Sequence, residues 1–257
     1  MRGTTNSRFP SCRPLRLADS IYNRLVQATT WLTVGAIAAG ALVLAGLAYW
    51  ELVVAEGAHL GQRVVVLLYD WTAQRYESIK KFDVEYEDRA LGQPLALALR
   101  RITPCQVLDV AAGTGRLARS LLRQPAFAGV VVNLDLSKAM LLHTRHHHAQ
   151  HARRVHRVQS PASRLPFVDN TFHAVSFLEA LEFLPDRKAA AREAVRVLRP
   201  GGWLLLSNRV GPDVPWLSGM TFSRPEFLAV LSELGLCEID VQPWELDYDL
   251  AWARKPL

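Results

Sequence analysis

One stretch near the middle of the chain constrains the fold more than any other. It reads VLDVAAGTGRLA over residues 107–118: a short apolar strand with Asp109 near its end, a Gly113-Thr114-Gly115 turn, and the first turn of a helix. Glycine tolerates positive φ and lacks a Cβ atom, so a ligand can approach such a turn closely. The free N–H groups at the helix start favour a negatively charged ligand group. The pattern predicts a cofactor site at the carboxyl edge of a parallel sheet.

The sequence after residue 105 has the alternation expected of βαβ units, because short Val- and Leu-rich runs are separated by helical runs. Strands are predicted at 106–110, 130–134, 155–159, 174–178, 203–207, 238–243 and 249–253. Helices are predicted at 116–123, 138–150, 187–198 and 225–234, with Ser137 and Asp186 as N-caps. Before the sheet, a helix is predicted over 84–100, and Tyr69, Ala73 and Tyr76 share one helical face.

An uncharged segment precedes these elements. No charged residue occurs between Leu25 and Trp50, and the most apolar part runs from Trp31 to Tyr49. About 20 apolar residues suffice to span a bilayer, and aromatic residues at both ends suit the two membrane interfaces. A buried core helix and a signal peptide are the alternatives, but the segment is long for the apolar part of a signal peptide. We therefore predict a membrane anchor.

The charges around this segment conflict with a cytoplasmic catalytic domain. Five arginines lie in a basic tail over residues 1–24, which we expect to be poorly ordered, and acidic Glu51 and Glu56 follow the segment. The positive-inside rule would keep the tail in the cytoplasm and place the large domain outside. Either residues before about 31 are absent from the mature chain, or the segment lies in the membrane interface. A domain using a cytosolic cofactor is nevertheless expected to face the cytoplasm.

The remaining composition narrows the functional classes. The net charge is +6 in 257 residues, but no basic run interleaved with aromatic residues points to nucleic acid. Cys12, Cys105 and Cys237 form no disulfide framework, which favours a reducing compartment. His143, His147 and His151 recur at helical spacing, with His146, His148 and His156 nearby. No cysteine or carboxylate joins them, so we expect a solvated helix face and no metal.

Two acids distinguish between possible cofactors. Asp135 follows the glycine turn by about 20 residues, where an acid commonly accepts hydrogen bonds from ribose hydroxyls; capping of the next helix is the alternative. Asp109 would repel the pyrophosphate of a dinucleotide but would attract a cationic amino-acid group. The pair favours a methyl donor with an ammonium group and a sulfonium over NAD.

With these residues in place, the chain resembles class I S-adenosylmethionine-dependent methyltransferases of the group that includes ubiquinone- and menaquinone-biosynthesis methyltransferases. The resemblance is carried by VLDVAAGTG (107–115), VVNLDLSKAM (131–140), LPFVDNTFHAV (165–175), VLRPGGWLL (197–205) and the lead-in YDWTAQRY (69–76). It implies an α/β, Rossmann-like fold with a mostly parallel seven-stranded sheet flanked by helices, here preceded by one transmembrane helix. The implied organisation is a tail (1–24), the transmembrane helix (25–56), connector and cap helices (57–100) and the S-adenosylmethionine-binding domain (101–257).

The resemblance also implies roles for individual residues. Asp109 would hold the ammonium group of S-adenosylmethionine and Asp135 its ribose hydroxyls. The other expected cofactor-binding residues are Ala111, Gly113, Thr114, Gly115, Leu136, Met140, Ser160, Ala162, Leu178 and Glu179. The chain departs from the family in having Pro161 where an acid or amide usually binds the adenine, and His173 where an acid usually follows the Phe entering strand four.

No catalytic base is evident, and the weak candidates are Glu179, Glu182, His173 and Tyr76. The anchor suggests a lipophilic small-molecule acceptor such as a quinone or lipid. Two other functional classes stay open at this point. One is an NAD-linked oxidoreductase on a similar sheet, and the other is a non-catalytic scaffold that kept the fold, for which Pro161 is the best support.

Overall fold

The computed structural model describes residues 15–147, 149–217 and 219–257, with only the backbone described at 15–19, His146 and His147. The first 14 residues of the predicted basic tail therefore lie outside the described residues, and so does His148. The chain divides into two compact units, one ending at Trp50 and the other comprising Glu51–Leu257.

The described part of the first unit, from Leu15 onward, is helical. Helix α1 spans Leu15–Tyr49, and a π-helical turn, Trp50–Val54, follows it in the chain. The segment Ser20–Val54 has a mean hydropathy of 2.0 in its most apolar window, so it is long and apolar enough to cross a membrane by length and composition. The expectation of a poorly ordered tail is wrong for residues 15–24. Leu, Ala and Arg are good helix formers there, and adding turns to an existing helix costs far less than starting one.

The second unit begins with a series of short helices. These are α2 (Gln62–Thr72), a 3₁₀ turn (Ala73–Arg75), α3 (Tyr76–Lys80), α4 (Val84–Glu87), a π-helical turn (Asp88–Gly92) and α5 (Gln93–Leu99). The helix predicted over 84–100 is thus confirmed, although the π-helical turn Asp88–Gly92 lies between its two α-helical parts. At Gly92 a Cβ atom would lie 2.1 Å from Ser120 Oγ, so only glycine allows this close packing.

The seven-stranded sheet predicted from the sequence is confirmed. Its strands are β1 (Gln106–Val110), β2 (Val130–Asp135), β3 (Val155–Gln159), β4 (Phe172–Phe177), β5 (Leu198–Arg209), β6 (Cys237–Trp244) and β7 (Tyr248–Arg254). The order is β3-β2-β1-β4-β5-β7-β6, and β7 alone runs antiparallel to both of its neighbours. The order reverses between β1 and β4, which is where such sheets bind ligands.

Helices follow β1, β2, β4 and β5 much as predicted. They are α6 (Arg116–Leu122), α7 (Lys138–His147), α8 (Arg187–Val197) and α9 (Arg224–Glu233). Asp186 caps α8 by accepting a hydrogen bond from Ala189 N, and Ser137 Oγ accepts one from Met140 N at the start of α7. Helix α7 ends earlier than predicted, and a separate 3₁₀ turn at Ala149–His151 follows it.

Strand β5 is much longer than the predicted 203–207. Its polar end pairs with β7, where Arg209 lies opposite Tyr248, so sheet pairing extends the strand beyond its apolar centre. Apolar side chains fill both faces of the sheet. On one face they pack with α8 and α9, through residues such as Ala194 and Phe227, and on the other with α5 and α6, through Leu95 and Leu121.

Candidate active site

A pocket lies at the carboxyl ends of β1, β2 and β4, where the strand order reverses. Its empty space, including its open mouth, is about 940 Å³. Helices α2 and α3 contribute one wall. Eleven of the residues singled out in the sequence line it: Tyr76, Asp109, Ala111, Gly113, Thr114, Asp135, Leu136, Ser160, Ala162, Leu178 and Glu179.

Asp109 is buried, with 3% of its surface exposed, and its partner comes from the neighbouring strand. Ser176 Oγ donates a 2.6 Å hydrogen bond to Asp109 Oδ1. Burial raises the pKa of Asp109 to about 7, although the Ser176 hydrogen bond and the charge of Arg116 act to lower it. A carboxylate desolvated in this way favours a cationic ligand group, because a positive charge restores the stabilisation that water no longer provides.

Asp135 organises the glycine turn. Its Oδ2 accepts a 2.8 Å hydrogen bond from Gly113 N, and its Oδ1 accepts one of 2.7 Å from Ser137 N. Burial raises the pKa of Asp135, and these backbone donors oppose that rise. Asp135 therefore contacts the start of the next helix, as the capping alternative predicts, and it also lines the pocket; its binding of ribose hydroxyls stays a prediction.

The turn itself has a left-handed backbone. Ala111, Gly113 and Gly115 have φ values of 54°, 54° and 85°, a region that is costly for alanine. A Cβ atom at Gly113 would come within 4.0 Å of the Tyr76 ring. Non-glycine residues in this region are over-represented at functional sites, and Ala111 lies where the pocket wall is formed by main chain.

Acids on the cap helices attach them to the sheet domain. Asp70 Oδ1 on α2 accepts hydrogen bonds from Ser137 Oγ at 2.5 Å and from Ala139 N at 3.2 Å, at the start of α7. Glu77 on α3 accepts hydrogen bonds from Thr114 Oγ1 and, at 3.0 Å, from Arg119. These contacts hold Tyr69 and Tyr76 against the pocket, with their ring centroids 5.9 Å apart.

Arg116 is buried beside the glycine turn. Its guanidinium lies between the rings of Phe82 and Trp244, 4.5 and 4.6 Å from their centroids. Arg116 Nη1 is 2.7 Å from Glu179 Oε1 and 3.1 Å from Glu245 Oε1. Glu87 is a third carboxylate at 3.4 Å. Because acids surround it, this arginine does not supply the free positive charge that a pyrophosphate site requires.

Glu179 follows β4 and has a φ of 48°. Its amide donates a 2.7 Å hydrogen bond to Ser207 Oγ, and Lys80 Nζ lies 3.6 Å from its Oε2. Burial acts to raise the pKa of Glu179, but the charges of Arg116 and Lys80 outweigh it and hold the pKa below its usual range. Glu179 is therefore a carboxylate at neutral pH, and a weak base.

Two residues expected to bind the cofactor do not line the pocket. Met140 is 1% exposed and lies within α7, where its side chain packs into the interior. Gly115 lies at the N-cap of α6, so its left-handed φ serves the turn into the helix. Thr144, which the sequence did not single out, donates a 3.0 Å hydrogen bond from its hydroxyl to Gly113 O.

Two of the four candidate bases lie outside the pocket. His173 is at the amino end of β4, where its Nδ1 accepts a hydrogen bond from Gln106 N and its Nε2 lies 3.2 Å from Arg199. Because it follows Phe172 directly, it lies at the start of the strand and does not reach the carboxyl edge of the sheet. Glu182 is 2% exposed, and Tyr248 OH donates a 2.5 Å hydrogen bond to it. Tyr76 lines the pocket, but burial raises its pKa, so the phenol stays protonated.

Sequence reasoning missed several residues of the site: Glu56, Asp70, Glu77, Lys80, Arg116 and Ser176. Tyr69 OH donates a 2.5 Å hydrogen bond to Glu56, whose other oxygen lies 3.3 Å from Lys80 Nζ. These partners are distant along the chain, so no local spacing reveals them. Asp70 and Glu77 fall in or next to the YDWTAQRY segment, Arg116 lies within the 107–118 stretch, and Ser176 directly follows the 165–175 segment, so these four lay in or beside recognised motifs.

His143 and His151 do not line the pocket. His143 belongs to α7 and His151 to the following turn. Among the described side chains, no group of three or more His, Cys, Asp or Glu residues has an arrangement that could hold a metal ion.

Comparison with known proteins agrees with this geometry. Residues 108–206 match a methyltransferase domain family. The chain is 40% identical over 114 residues to the ubiquinone/menaquinone biosynthesis C-methyltransferase of Hahella chejuensis, covering 44% of this chain and 46% of that protein. It is 36% identical over 144 residues to the demethylmenaquinone methyltransferase of Mycobacterium marinum, covering 56% and 58%. The chain thus spans about half the length of these curated relatives.

A solved structure shares the fold. It is a putative S-adenosylmethionine-dependent methyltransferase from Methanococcus maripaludis, with a TM-score of 0.53 and 20% identity over 73% of this chain and 94% of that one. The fold and the strand-end pocket define a Rossmann-like α/β domain built to bind a small cofactor. With the sequence matches, they support a class I S-adenosylmethionine-dependent methyltransferase domain over residues 108–206.

Proposed function

We propose that this protein transfers a methyl group from S-adenosylmethionine to a lipophilic small molecule at a membrane. One observation carries the proposal. Asp109 and Asp135 end two neighbouring strands, both line one pocket, and a left-handed glycine turn lies between them. This arrangement supplies one acid for a cationic amino-acid end and one for ribose hydroxyls, without an unpaired cation for a pyrophosphate.

The residues present fit the donor. The buried Asp109 carboxylate suits the ammonium group, and the main chain of Ala111 and Gly113 leaves space for the methionine portion. Half-buried Asp135 would accept hydrogen bonds from the ribose, while Leu136, Ser160 and Ala162 would surround the adenine. These are the assignments the pocket supports in place of the wider set expected from the sequence, which included Gly115 and Met140.

When bound, S-adenosylmethionine supplies an electrophilic methyl group on a positively charged sulfur. The residues at the end of β4 would act on this end of the pocket. Leu178 would limit the approach of water, and the Glu179 carboxylate would stabilise positive charge nearby. Transfer requires the acceptor to approach in line with the breaking bond, and positioning alone can supply much of the acceleration. The walls available for positioning are aromatic, namely Tyr69, Tyr76, Phe82 and Phe183.

No residue is assigned as a general base. Glu179 is held as an ion pair with Arg116, and the Tyr76 phenol is protonated. A phenol or an acidic carbon ionises more readily than an aliphatic hydroxyl, so such an acceptor would need less activation by a protein base. The name of one relative refers to quinone biosynthesis and that of the other to demethylmenaquinone, which favours a quinone-related acceptor.

The acceptor class also follows from the proposed anchor. The aromatic and aliphatic walls of the pocket suit an apolar ring or chain, and the apolar segment Ser20–Val54 would keep the enzyme at the bilayer that dissolves such molecules. We propose that the catalytic unit faces the cytoplasm, on the side where the methyl donor is made.

The experiment that tests this function is transfer of labelled methyl. Membranes from cells with and without the full chain are incubated with methyl-labelled S-adenosylmethionine and extracted with organic solvent. We expect a labelled lipophilic product only when the protein is present, and none with Asp109→Asn. Equal labelling in both membranes, or labelling confined to the aqueous phase, would contradict the proposal.

A further inference from the structure

Helix α2 is apolar on two opposite sides. Gln62, Val65, Val66 and Tyr69 recur at i, i+3, i+4 and i+7 and line the pocket. Val64, Leu67 and Trp71 recur at i, i+3 and i+7 on the other side. At 3.6 residues per turn the centres of these two rows lie about 180° apart. A helix of a soluble domain normally has a polar outer side, so the second apolar row requires an explanation.

Two of the three residues of the outer row are exposed, and Val64 is half-buried. Leu67 is 67% exposed and Trp71 is 82% exposed, and Leu60, just before the helix, is 51% exposed. These are large side chains, and they lie within a dozen residues of one another. Contiguous exposed apolar residues of this kind mark interaction or membrane surfaces.

The charges on this helix have the sign that suits an anionic lipid surface. Arg63 on α2 and Arg75 at the end of the 3₁₀ turn that follows α2 are both exposed. The nearby acids are occupied elsewhere, since Asp70 accepts hydrogen bonds from the start of α7 and Glu77 from Thr114 and Arg119. The outer side of α2 thus combines Leu and Trp with arginines, the composition of an interfacial helix.

The start of α2 is also tied to the end of the apolar segment. Within the second unit, Gly57 N donates a 2.8 Å hydrogen bond to Glu51 O, and His59 N donates one of 3.1 Å to Glu51 Oε1. Leu52 and Val53, which follow Glu51 directly, are 44% and 57% exposed. Exposed apolar side chains therefore occur on both sides of this hydrogen-bonded turn, at Leu52 and Val53 before it and at Leu60 after it.

We propose that the outer side of α2, formed by Leu60, Val64, Leu67 and Trp71, lies in the headgroup region of an anionic bilayer, so that a lipophilic acceptor enters the pocket along α2 directly from the membrane. The proposal rests on the proposed membrane function and deepens it, because it assigns the entry route. The same helix then has one side in lipid and the other on the acceptor.

The test measures the depth of single labelled positions in the full chain. Cys12 and Cys237 are replaced by serine, buried Cys105 is kept, and an environment-sensitive fluorophore is attached to L67C, W71C or V168C. Val168 is a matched control, because it is 77% exposed and precedes β4, at the opposite edge of the sheet from the pocket. The chain is reconstituted into vesicles of phosphatidylcholine and phosphatidylglycerol. Brominated acyl chains quench from the bilayer and iodide quenches from water.

We expect the labels at 67 and 71 to be quenched several-fold more by brominated lipid than the label at 168, and to be correspondingly protected from iodide. If the chain sediments with vesicles while all three labels respond alike to iodide, the inference about α2 is wrong, but membrane attachment through the apolar segment is still supported. Protection from iodide that depends on protein concentration and occurs without lipid quenching would indicate a second copy, and would also overturn it.

A functional readout separates this inference from the methyltransferase proposal. The double variant L67E/W71E should lower methyl incorporation into membrane lipids at least tenfold, because even partial loss of the burial of two large side chains reaches that factor, while calorimetric binding of S-adenosylmethionine stays unchanged. V168E should change neither. Normal incorporation by the double variant would contradict the entry route, whereas absence of donor binding by the unmodified chain would contradict the proposed function instead.

Discussion

Ser176 Oγ donates a 2.6 Å hydrogen bond to Asp109 Oδ1, and the two residues are register partners on adjacent strands β4 and β1. This contact supplies a fixed donor to an acid that burial would otherwise leave without polar support. It is still not enough to keep the carboxyl at its ordinary pKa, which is raised to about 7. Without a cationic ligand, folding therefore favours the protonated form of Asp109.

The first prediction concerns stability and pH. Because the folded-state pKa of Asp109 lies above its unfolded value, its stabilising contribution is present below the unfolded pKa and is lost as pH rises through about 7. Asp109→Asn removes this loss. Thermal unfolding of the ligand-free chain in detergent measures this effect as the Tm of the variant minus the Tm of the unmodified protein. This difference should be several degrees larger at pH 8 than at pH 5.

The control for this prediction is Asp240→Asn, an exposed acid on β6. Its effect on Tm should be the same at both pH values. A pH-independent effect of Asp109→Asn would mean that Asp109 is not desolvated in the folded chain.

The second prediction concerns the attachment of the cap. Asp70→Ala removes the acceptor for Ser137 Oγ and Ala139 N, which joins α2 to α7. Since α2 forms one wall of the pocket, the affinity for S-adenosylmethionine should fall about tenfold, the effect of losing one charge-assisted hydrogen bond. Titration calorimetry measures this directly. Glu85→Gln, an exposed change on neighbouring α4, should leave the affinity as it is; equal affinities for both variants would show that the cap does not organise the pocket.

The third prediction concerns Glu182 and Tyr248. Tyr248→Phe removes the 2.5 Å hydrogen bond to a carboxyl that is 2% exposed, so it should lower the free energy of unfolding by about 1–3 kcal/mol. Denaturant titration gives this value, and donor affinity should not change. Tyr86→Phe loses a hydrogen bond at a less buried position, from Glu245 N, and should cost less. Lost methyl transfer with unaltered stability would instead place Glu182 in the chemistry.

Much of the fold follows from the sequence because local patterns determine it. The strand at residues 106–110, the glycine turn and the helix from Arg116 lie where the apolar periodicity predicts them. Strand β5 shows the limit of such patterns. Its extension to Arg209 depends on pairing with β7, some 40 residues later in the chain, and no local signal marks it.

The site likewise contains residues that local sequence patterns predict and residues that only tertiary contacts bring together. Asp109 and Asp135 could be found because they end consecutive strands beside glycines. The surroundings of Arg116 could not, because Phe82, Glu87, Glu179 and Trp244 come from four separate segments. His173 lies outside the pocket for a related reason. Its motif shows that it belongs to β4, but the pocket is at the carboxyl end of that strand and His173 is at the amino end.

The central claim is that the strand-end acids bind a methyl donor, and titration calorimetry of the full chain in detergent tests it most directly. S-adenosylmethionine and its demethylated product should both bind, NAD should not, and Asp109→Asn should weaken donor binding about 10–100-fold, as expected for losing a hydrogen-bonded ion pair in a buried site. Binding of NAD in preference to S-adenosylmethionine, or unaltered donor affinity in Asp109→Asn, would contradict the account.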